Sequence, residues 1–247
     1  MSIESYEEFR ALKEAGRICQ MVLREMSACV RAGVTTGKIA EVGSKVMREN
    51  GARSAPRMVY GFPGDVCISL NDEAVHGIPG AREIRAGDLV KLDVTLEKDG
   101  YMADAAITVP VEPVADEARR LVSCARRAFE QAMRAARAHN RINEIGRAVE
   151  KEVKRCGFSV IRALGGHGIG RTIHEAPSVP NYCDPLARQR LKAGLVLTVE
   201  PILSAGVGKS FTANDGWTEK TADGSLSAHY EHTIVITEDA PILLTAA

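Results

Sequence analysis

Four acidic residues stand within or beside apolar, strand-like runs. Asp93 follows Val90 and Leu92, Glu200 follows Leu197 and Val199, and Asp104 and Glu231 each come just ahead of an apolar stretch. A carboxylate buried among aliphatic side chains is costly unless it is paired or holds a metal ion. One such acid reads most simply as a salt bridge or a strand end. Four in matching contexts point to a shared cation, because their four negative charges are offset by two divalent ions. Histidines accompany them. His167 lies within Gly165-Gly166-His167-Gly168-Ile169-Gly170, where glycines allow close backbone approach, His174 follows seven residues later, and His76 opens His76-Gly77-Ile78. Cys67 invites a thiol-nucleophile reading, but no histidine is tied to it by spacing, so that chemistry is set aside.

These side chains need elements to position them. Apolar residues at three- and four-residue steps predict a helix between Ile3 and Arg31, and a second begins at Thr36 as N-cap and stops at Gly51. Two more are predicted from Asp116 to about His139 and from Ile142 to Cys156, the latter closed by Gly157. Strand-like runs cover Val66 to Leu70, Leu89 to Leu96, Met102 to Val109, Phe158 to Leu164, Leu195 to Val199 and His232 to Thr237, with Lys98-Asp99-Gly100 as a hairpin turn. Helices and strands in alternating blocks argue for an α+β fold with an antiparallel sheet. A faint repeat supports it. Ala86-Gly87 and Ala193-Gly194 each lead into a strand that reaches an acid six residues after the glycine, Asp93 or Glu200. His76-Gly77-Ile78 also matches His167-Gly168-Ile169. Two similar halves about a pseudo-two-fold axis would gather the four acids in one place.

Composition narrows the function classes. The 247 residues are 45% hydrophobic and 26% charged, with 32 Lys and Arg against 32 Asp and Glu, so there is no basic excess of the kind that nucleic acids or anionic membranes attract. The polar start Met1-Ser2-Ile3-Glu4-Ser5 does not resemble a secretory signal, and no run approaches the length of a membrane span. The six cysteines form no C-x-x-C pair and read as reduced thiols. A soluble cytoplasmic protein is the expectation, of a length that suits one large domain or two small ones.

The run Gly166-His167-Gly168-Ile169-Gly170-Arg171-x-x-His174-Glu175-x-Pro177 resembles the signature of type I methionine aminopeptidases. His76-Gly77-Ile78-Pro79, Leu92-Asp93-Val94-Thr95, Thr198-Val199-Glu200-Pro201 and Tyr230-Glu231-His232-Thr233 stand in that family's order, so the resemblance spans nearly the whole chain. It implies one catalytic domain over residues 1–247 with the pita-bread fold, a pseudo-two-fold curved antiparallel sheet with helices on its outer face. It implies removal of the initiator methionine before a small second residue, with two divalent ions (Co, Mn, Fe or Zn) held by Asp93, Asp104, His167, Glu200 and Glu231. Asp104 and Glu231 would bridge the ions, Asp93 would bind one, and His167 with Glu200 the other. Glu200 would also take the proton of the attacking water, while His76 and His174 would contact substrate. The implied partners are nascent polypeptide N-termini at the ribosome, met by a monomer, with neither nucleic acid nor membrane involved.

By the same resemblance the side-chain pocket maps to Val59, Phe62, Cys67, Ile173 and Trp217, an apolar slot suited to a thioether. The chain departs from the bacterial Gly-Tyr-His-Gly-Phe-Pro by reading Met58-Val59-Tyr60-Gly61-Phe62-Pro63, and it has Ala103 where Gly is common and Val75 where Cys is frequent. These departures bear on pocket shape and rate. Two rival readings are an X-Pro peptidase of the same fold, which usually carries a further N-terminal domain, and a non-catalytic peptide-binding relative, which typically lacks metal ligands. This chain keeps all five.

Overall fold

A computed structural model describes residues 1–246. The first half runs α1 (Tyr6–Cys29), α2 (Thr36–Glu49), β1 (Arg53–Ser54), α3 (Ala55–Tyr60), β2 (Cys67–Leu70), β3 (Glu73–Val75), β4 (Leu89–Lys98) and β5 (Tyr101–Pro110). The second opens with α4 (Asp116–Ala135) and α5 (Ile142–Cys156), followed by β6 (Ser159–Val160), β7 (Gly165–Gly168), β8 (Glu175–Pro180) and β9 (Val196–Val199). It ends with β10 (Ile202–Ser204), β11 (Ser210–Thr212), β12 (Glu219–Thr221), β13 (Ser227–His229), β14 (Glu231–Val235) and β15 (Ile242–Leu243).

The predicted helices are present with adjusted ends. Ser5 caps α1 through a bond from the Glu8 amide. The N-cap of α2 is Thr35, one residue before the predicted Thr36, whose hydroxyl instead accepts from the Gly80 amide. Helix α4 stops at Ala135, earlier than the predicted His139, and the Asn140 side chain donates to the Ala135 carbonyl. Gly157 closes α5 in the left-handed conformation that a residue with a β-carbon avoids. Of the run from Phe158 to Leu164 only Ser159–Val160 is strand.

The main sheet has the order β1-β4-β5-β14-β9-β7-β8, with β2 pairing β4 and β15 pairing β14, and the pairings among the described residues are antiparallel. Asp99 and Gly100 both have positive φ, 49° and 85°, so the β4–β5 hairpin turns through two left-handed residues, a geometry that matches the strand twist. β5 and β14 meet at the centre, where His232 faces Ala105 and Glu231 faces Ala106. Outward from that junction, β4 and then β2 answer β9 and then β7. The α1–α2 pair packs on the first half through a core containing Ile18, Val22, Met26, Val90, Leu92 and Val94. The α4–α5 pair packs on the second through Leu121, Phe129, Val149, Leu197, Val199 and Ile234. This is the pseudo-two-fold α+β arrangement of the pita-bread fold.

The register corrects one sequence match. Cys67 pairs with Asp93 and Gly168 with Leu197, so His167 occupies in the second half the position of Ser69 in the first. His76 lies beyond β3, and the Gly77 carbonyl accepts from the Ile68 amide on the far side of β2. The His-Gly-Ile likeness therefore joins segments with different places in the fold.

Candidate metal centre and substrate pocket

Alternation along the strands builds the site. In β4 the side chains of Val90, Leu92, Val94 and Leu96 enter the helix-covered core, which turns Asp93 and Thr95 to the opposite face. Ala103 and Ala105 do the same for Asp104 in β5. In the second half Leu197, Val199 and Ile234 point to the helices and leave Thr198, Glu200, Glu231 and Thr233 on the other side. Thr233 fastens the two halves together, since its hydroxyl donates to the Asp104 carbonyl at 2.7 Å and accepts from the Asp104 amide at 2.8 Å. The four acids expected from the sequence thus converge on one cavity, together with His76, His167 and His174.

Their electrostatics are those of charge packed without counter-charge. Asp104, Glu200 and Glu231 are buried, and among the described residues the ion-pair partners of the four carboxylates are histidines alone. Burial, then the charge of Glu200, raises Asp93 to about 7. Burial likewise raises Glu200 to about 7, partly countered by the Thr198 hydroxyl, which donates to Oε1 at 2.7 Å. Asp104 and Glu231 are driven well above the carboxylate range by burial and by the neighbouring acids. Asp104 Oδ1 and Glu231 Oε1 are buried with no hydrogen-bond partner. Orphaned carboxylate oxygens beside histidine nitrogens fit a divalent cation. Two groups of donor atoms are close enough to share an ion: Asp104, His167 and Glu231, and Glu200, His229 and Glu231. Asp93 belongs to neither group, and His167 Nε2 lies 3.6 Å from Glu200 Oε1.

Each histidine is held differently. The Nδ1 of His167 is 2.9 Å from the Gly168 carbonyl, which can only accept, so Nδ1 carries the proton and Nε2 keeps its lone pair. His174 packs against it with the rings tilted by 57° and their centroids 4.2 Å apart, and Tyr60 Oη lies 2.6 Å from His174 Nδ1. Desolvation and the adjacent His167 pull His174 down to about 4, although its ring is reachable from solvent. Glu175 anchors this loop by accepting from the Arg171 and Thr172 amides at 2.8 and 2.9 Å. His76 has a left-handed backbone, φ 58°, rare for a residue with a β-carbon. Gly77 permits that turn, since a β-carbon there would stand 2.4 Å from the Ile68 carbonyl oxygen.

The cavity measures about 240 Å³, and its apolar wall includes Phe62, Cys67, Ile173 and Trp217, with the Phe62 and Trp217 rings edge to face at 5.3 Å. Val59 is absent from that wall. It is half exposed, and its neighbour Tyr60 lines the cavity instead. Residues 55–60 form the helix α3, in which Pro56 and Tyr60, four apart, share the inward face while Val59 is turned away. Cys67 is buried, and burial and the nearby acids push its thiol far up, which opposes thiolate chemistry. His229 was not among the sequence candidates. It lies two residues before Glu231, so the period of two that places Glu231 and Thr233 on one face was the signal available.

Comparison with known proteins agrees with this geometry. The model of Metallopeptidase family M24 matches residues 10–238. The chain is 43% identical over 247 residues to methionine aminopeptidase 2 of Bacillus subtilis (strain 168), covering 99% of each, and 37% identical over 243 residues to methionine aminopeptidase of Clostridium perfringens (strain 13 / Type A), covering 98% of each. The crystal structure of methionine aminopeptidase from Thermotoga maritima superposes with a TM-score of 0.96 at 33% identity over all of both chains. Prolidase from Pyrococcus furiosus shares the fold, with a TM-score of 0.80 at 23% identity over 99% of this chain and 65% of its own. With candidate ligands drawn from both halves of the sheet and a family match across nearly its whole length, the chain belongs to Metallopeptidase family M24.

Proposed function

We propose that the protein is a metal-dependent methionyl aminopeptidase that removes the N-terminal methionine from nascent proteins and peptides with a small second residue. The observation that carries this reading is the convergence of four carboxylates, three of them buried, and His167 on a cavity walled by Phe62, Cys67, Ile173 and Trp217. The cofactor proposed is a pair of divalent ions, Co, Mn, Fe or Zn, held by Asp93, Asp104, His167, Glu200 and Glu231. When bound, such a pair neutralises the acids, acidifies water and polarises the scissile carbonyl.

The chain's own groups do the rest. Glu200 is the proposed acceptor of the water's proton, and the Thr198 hydroxyl fixes one of its oxygens at 2.7 Å so that the other stays free. Tyr60, by donating to Nδ1 of His174, leaves the ring proton on Nε2, where it can support negative charge developing on the carbonyl oxygen. His76, at the same cavity, is assigned to the substrate amide. Phe62, Cys67, Ile173 and Trp217 receive the methionine side chain, with Tyr60 taking the wall position first given to Val59. A cavity of about 240 Å³, below the roughly 300–1,000 Å³ of sites for larger ligands, suits one terminal residue. The proposed setting is the cytoplasm, at the ribosome, where such N-termini emerge. The proposed working unit is a monomer with residues 1–247 as one catalytic domain.

The test is hydrolysis of Met-Ala-Ser, Ala-Pro and Met-Pro peptides by metal-stripped protein with and without added Mn, Fe, Co or Zn. Release of methionine from Met-Ala-Ser only after metal addition supports the proposal. Equal turnover in a metal-free sample verified by elemental analysis overturns the metal role, and preference for Ala-Pro overturns the substrate.

A further inference from the structure

We infer that His229 is a direct metal ligand through Nε2, a second nitrogen donor beside His167, to the ion held between Glu200 and Glu231. The inference rests on the two-ion reading above. His229 closes β13, one residue short of β14, and is 1% exposed. Its Nε2 is 3.2 Å from Glu231 Oε2 and 4.0 Å from Glu200 Oε2. Donor atoms bonded to one ion at about 2.1 Å stand roughly 3 to 4 Å apart, so both separations suit a common centre.

The alternative is a buried imidazole hydrogen-bonded to a carboxylate, and the geometry opposes it. Neither Nδ1 nor Nε2 of His229 has a hydrogen-bond partner, despite the short approach to Glu231. A buried polar group left so costs the protein its full desolvation penalty. Glu231 Oε1 is orphaned in the same place. A cation between them satisfies both at once. The backbone holds the ring ready: the His229 amide donates to Thr108 Oγ1 and the Thr108 hydroxyl donates to the His229 carbonyl, both at 2.8 Å, while His229 pairs with Ile202 across β10. The chemical consequence is selectivity. A second imidazole favours borderline ions such as Zn(II) or Co(II) over the oxygen-seeking Mn(II).

The test is metal binding by calorimetry to the metal-stripped wild type, His229→Gln and His229→Ala, using Zn(II), Co(II) and Mn(II). X-ray absorption of the wild type loaded with two equivalents of Zn(II) accompanies it. The proposal expects two histidines per two zinc ions in the absorption data. It also expects at least a tenfold loss of affinity for one equivalent in both variants, larger for Zn(II) and Co(II) than for Mn(II). One histidine per pair, or unchanged affinities in the variants, overturns it and leaves the two-ion reading intact. Failure of the wild type to take up a second equivalent overturns both. If neither variant folds, the absorption spectrum of the wild type decides alone.

Discussion

Replacing Asp93 with Asn and Glu200 with Gln together should stabilise the metal-free protein increasingly as pH rises from 5 to 8. Without metal, burial and then the charge of Glu200 take Asp93 from 3.8 to about 7, and burial takes Glu200 from 4.5 to about 7. A carboxyl with a raised folded pKa contributes stability that is fully present below its unfolded pKa and lost as pH climbs through the folded one. Here that window runs from the ordinary carboxylate value up to about 7. At about 1.4 kcal/mol for each tenfold change in proton affinity, the two acids together forfeit on the order of 5 kcal/mol between pH 5 and pH 8. That is comparable to the whole net stability of a small domain, about 5–15 kcal/mol, so it is measurable. The wild-type curve alone would mislead. Burial lowers His229 to about 3 and His174 and His232 to about 4, and because these rings charge on unfolding, they add stability as pH rises through the ordinary histidine range. Subtracting the variant from the wild type cancels that opposing slope. The assay is thermal unfolding of both metal-stripped proteins across the pH range. At roughly 2–4 °C per kcal/mol for a chain of this size, the variant should gain about 10–20 °C on the wild type between pH 5 and pH 8. Metal addition at pH 8 should reverse the order, since only the wild type keeps both charges for the ions. A difference between the two proteins that stays flat with pH refutes the claim that these carboxylates are trapped without counter-charge.

His174→Ala should lower kcat and kcat/KM together by roughly ten- to a thousandfold, the scale of one lost donor to a transition state, with metal content by elemental analysis unchanged. Tyr60→Phe should lower kcat less than His174→Ala does, because the ring stays and only its 2.6 Å hydroxyl partner goes, and equal losses would make Tyr60 more than a support. Val59→Tyr should leave KM for Met-Ala and the preference over Leu-Ala within about twofold, since Val59 is off the cavity, and a tightened KM would return it to the wall. Gly77→Ala should destabilise the protein by about 1–3 kcal/mol in denaturant titration, because the new β-carbon meets the Ile68 carbonyl oxygen at 2.4 Å. An unchanged midpoint would show that the turn after His76 has room to shift.

Much of this site could be read from the sequence because strand chemistry has a short period. Asp93, Asp104, Glu200 and Glu231 stood out as acids in aliphatic alternation, and the repeat of the Ala-Gly turns correctly paired the β4 strand with the β9 strand. Where the period changed, the reading slipped. Residues 55–60 are too few to show a helical pattern, so Val59 was placed where the inward-facing Tyr60 stands. The His76 and His167 tripeptides look alike, but His167 lies within β7, the counterpart of β2, while Gly77 bonds to the outer edge of β2, a distinction made by pairing register alone. His229 escaped notice because it belongs to a three-residue strand whose partner, Ile202, lies far off in sequence.

The pseudo-two-fold axis explains part of the carboxylate set, and the rest of the cavity comes from where the halves differ. Each half supplies two acids, but only Asp93 and Glu200 hold matching strand positions: with those two superposed, the register sets Glu231 against Ala106 and not against Asp104. The position of His167 is taken by Ser69 in the first half, whose hydroxyl accepts from the Gly77 amide at 2.9 Å and so serves the backbone. Gly165, correspondingly, stands where the first half has Cys67, so one side of the cavity is walled by a thiol and the other is left open beside the backbone. Phe62, Cys67 and Tyr60 come from the first half and Ile173 and Trp217 from the second, while His76 belongs to the first half and His167 and His174 to the second. Both halves thereby contribute to an apolar part of the cavity that can take a side chain and to a polar part that can act on the bond next to it. What each half adds to the repeated frame sets where those two parts lie.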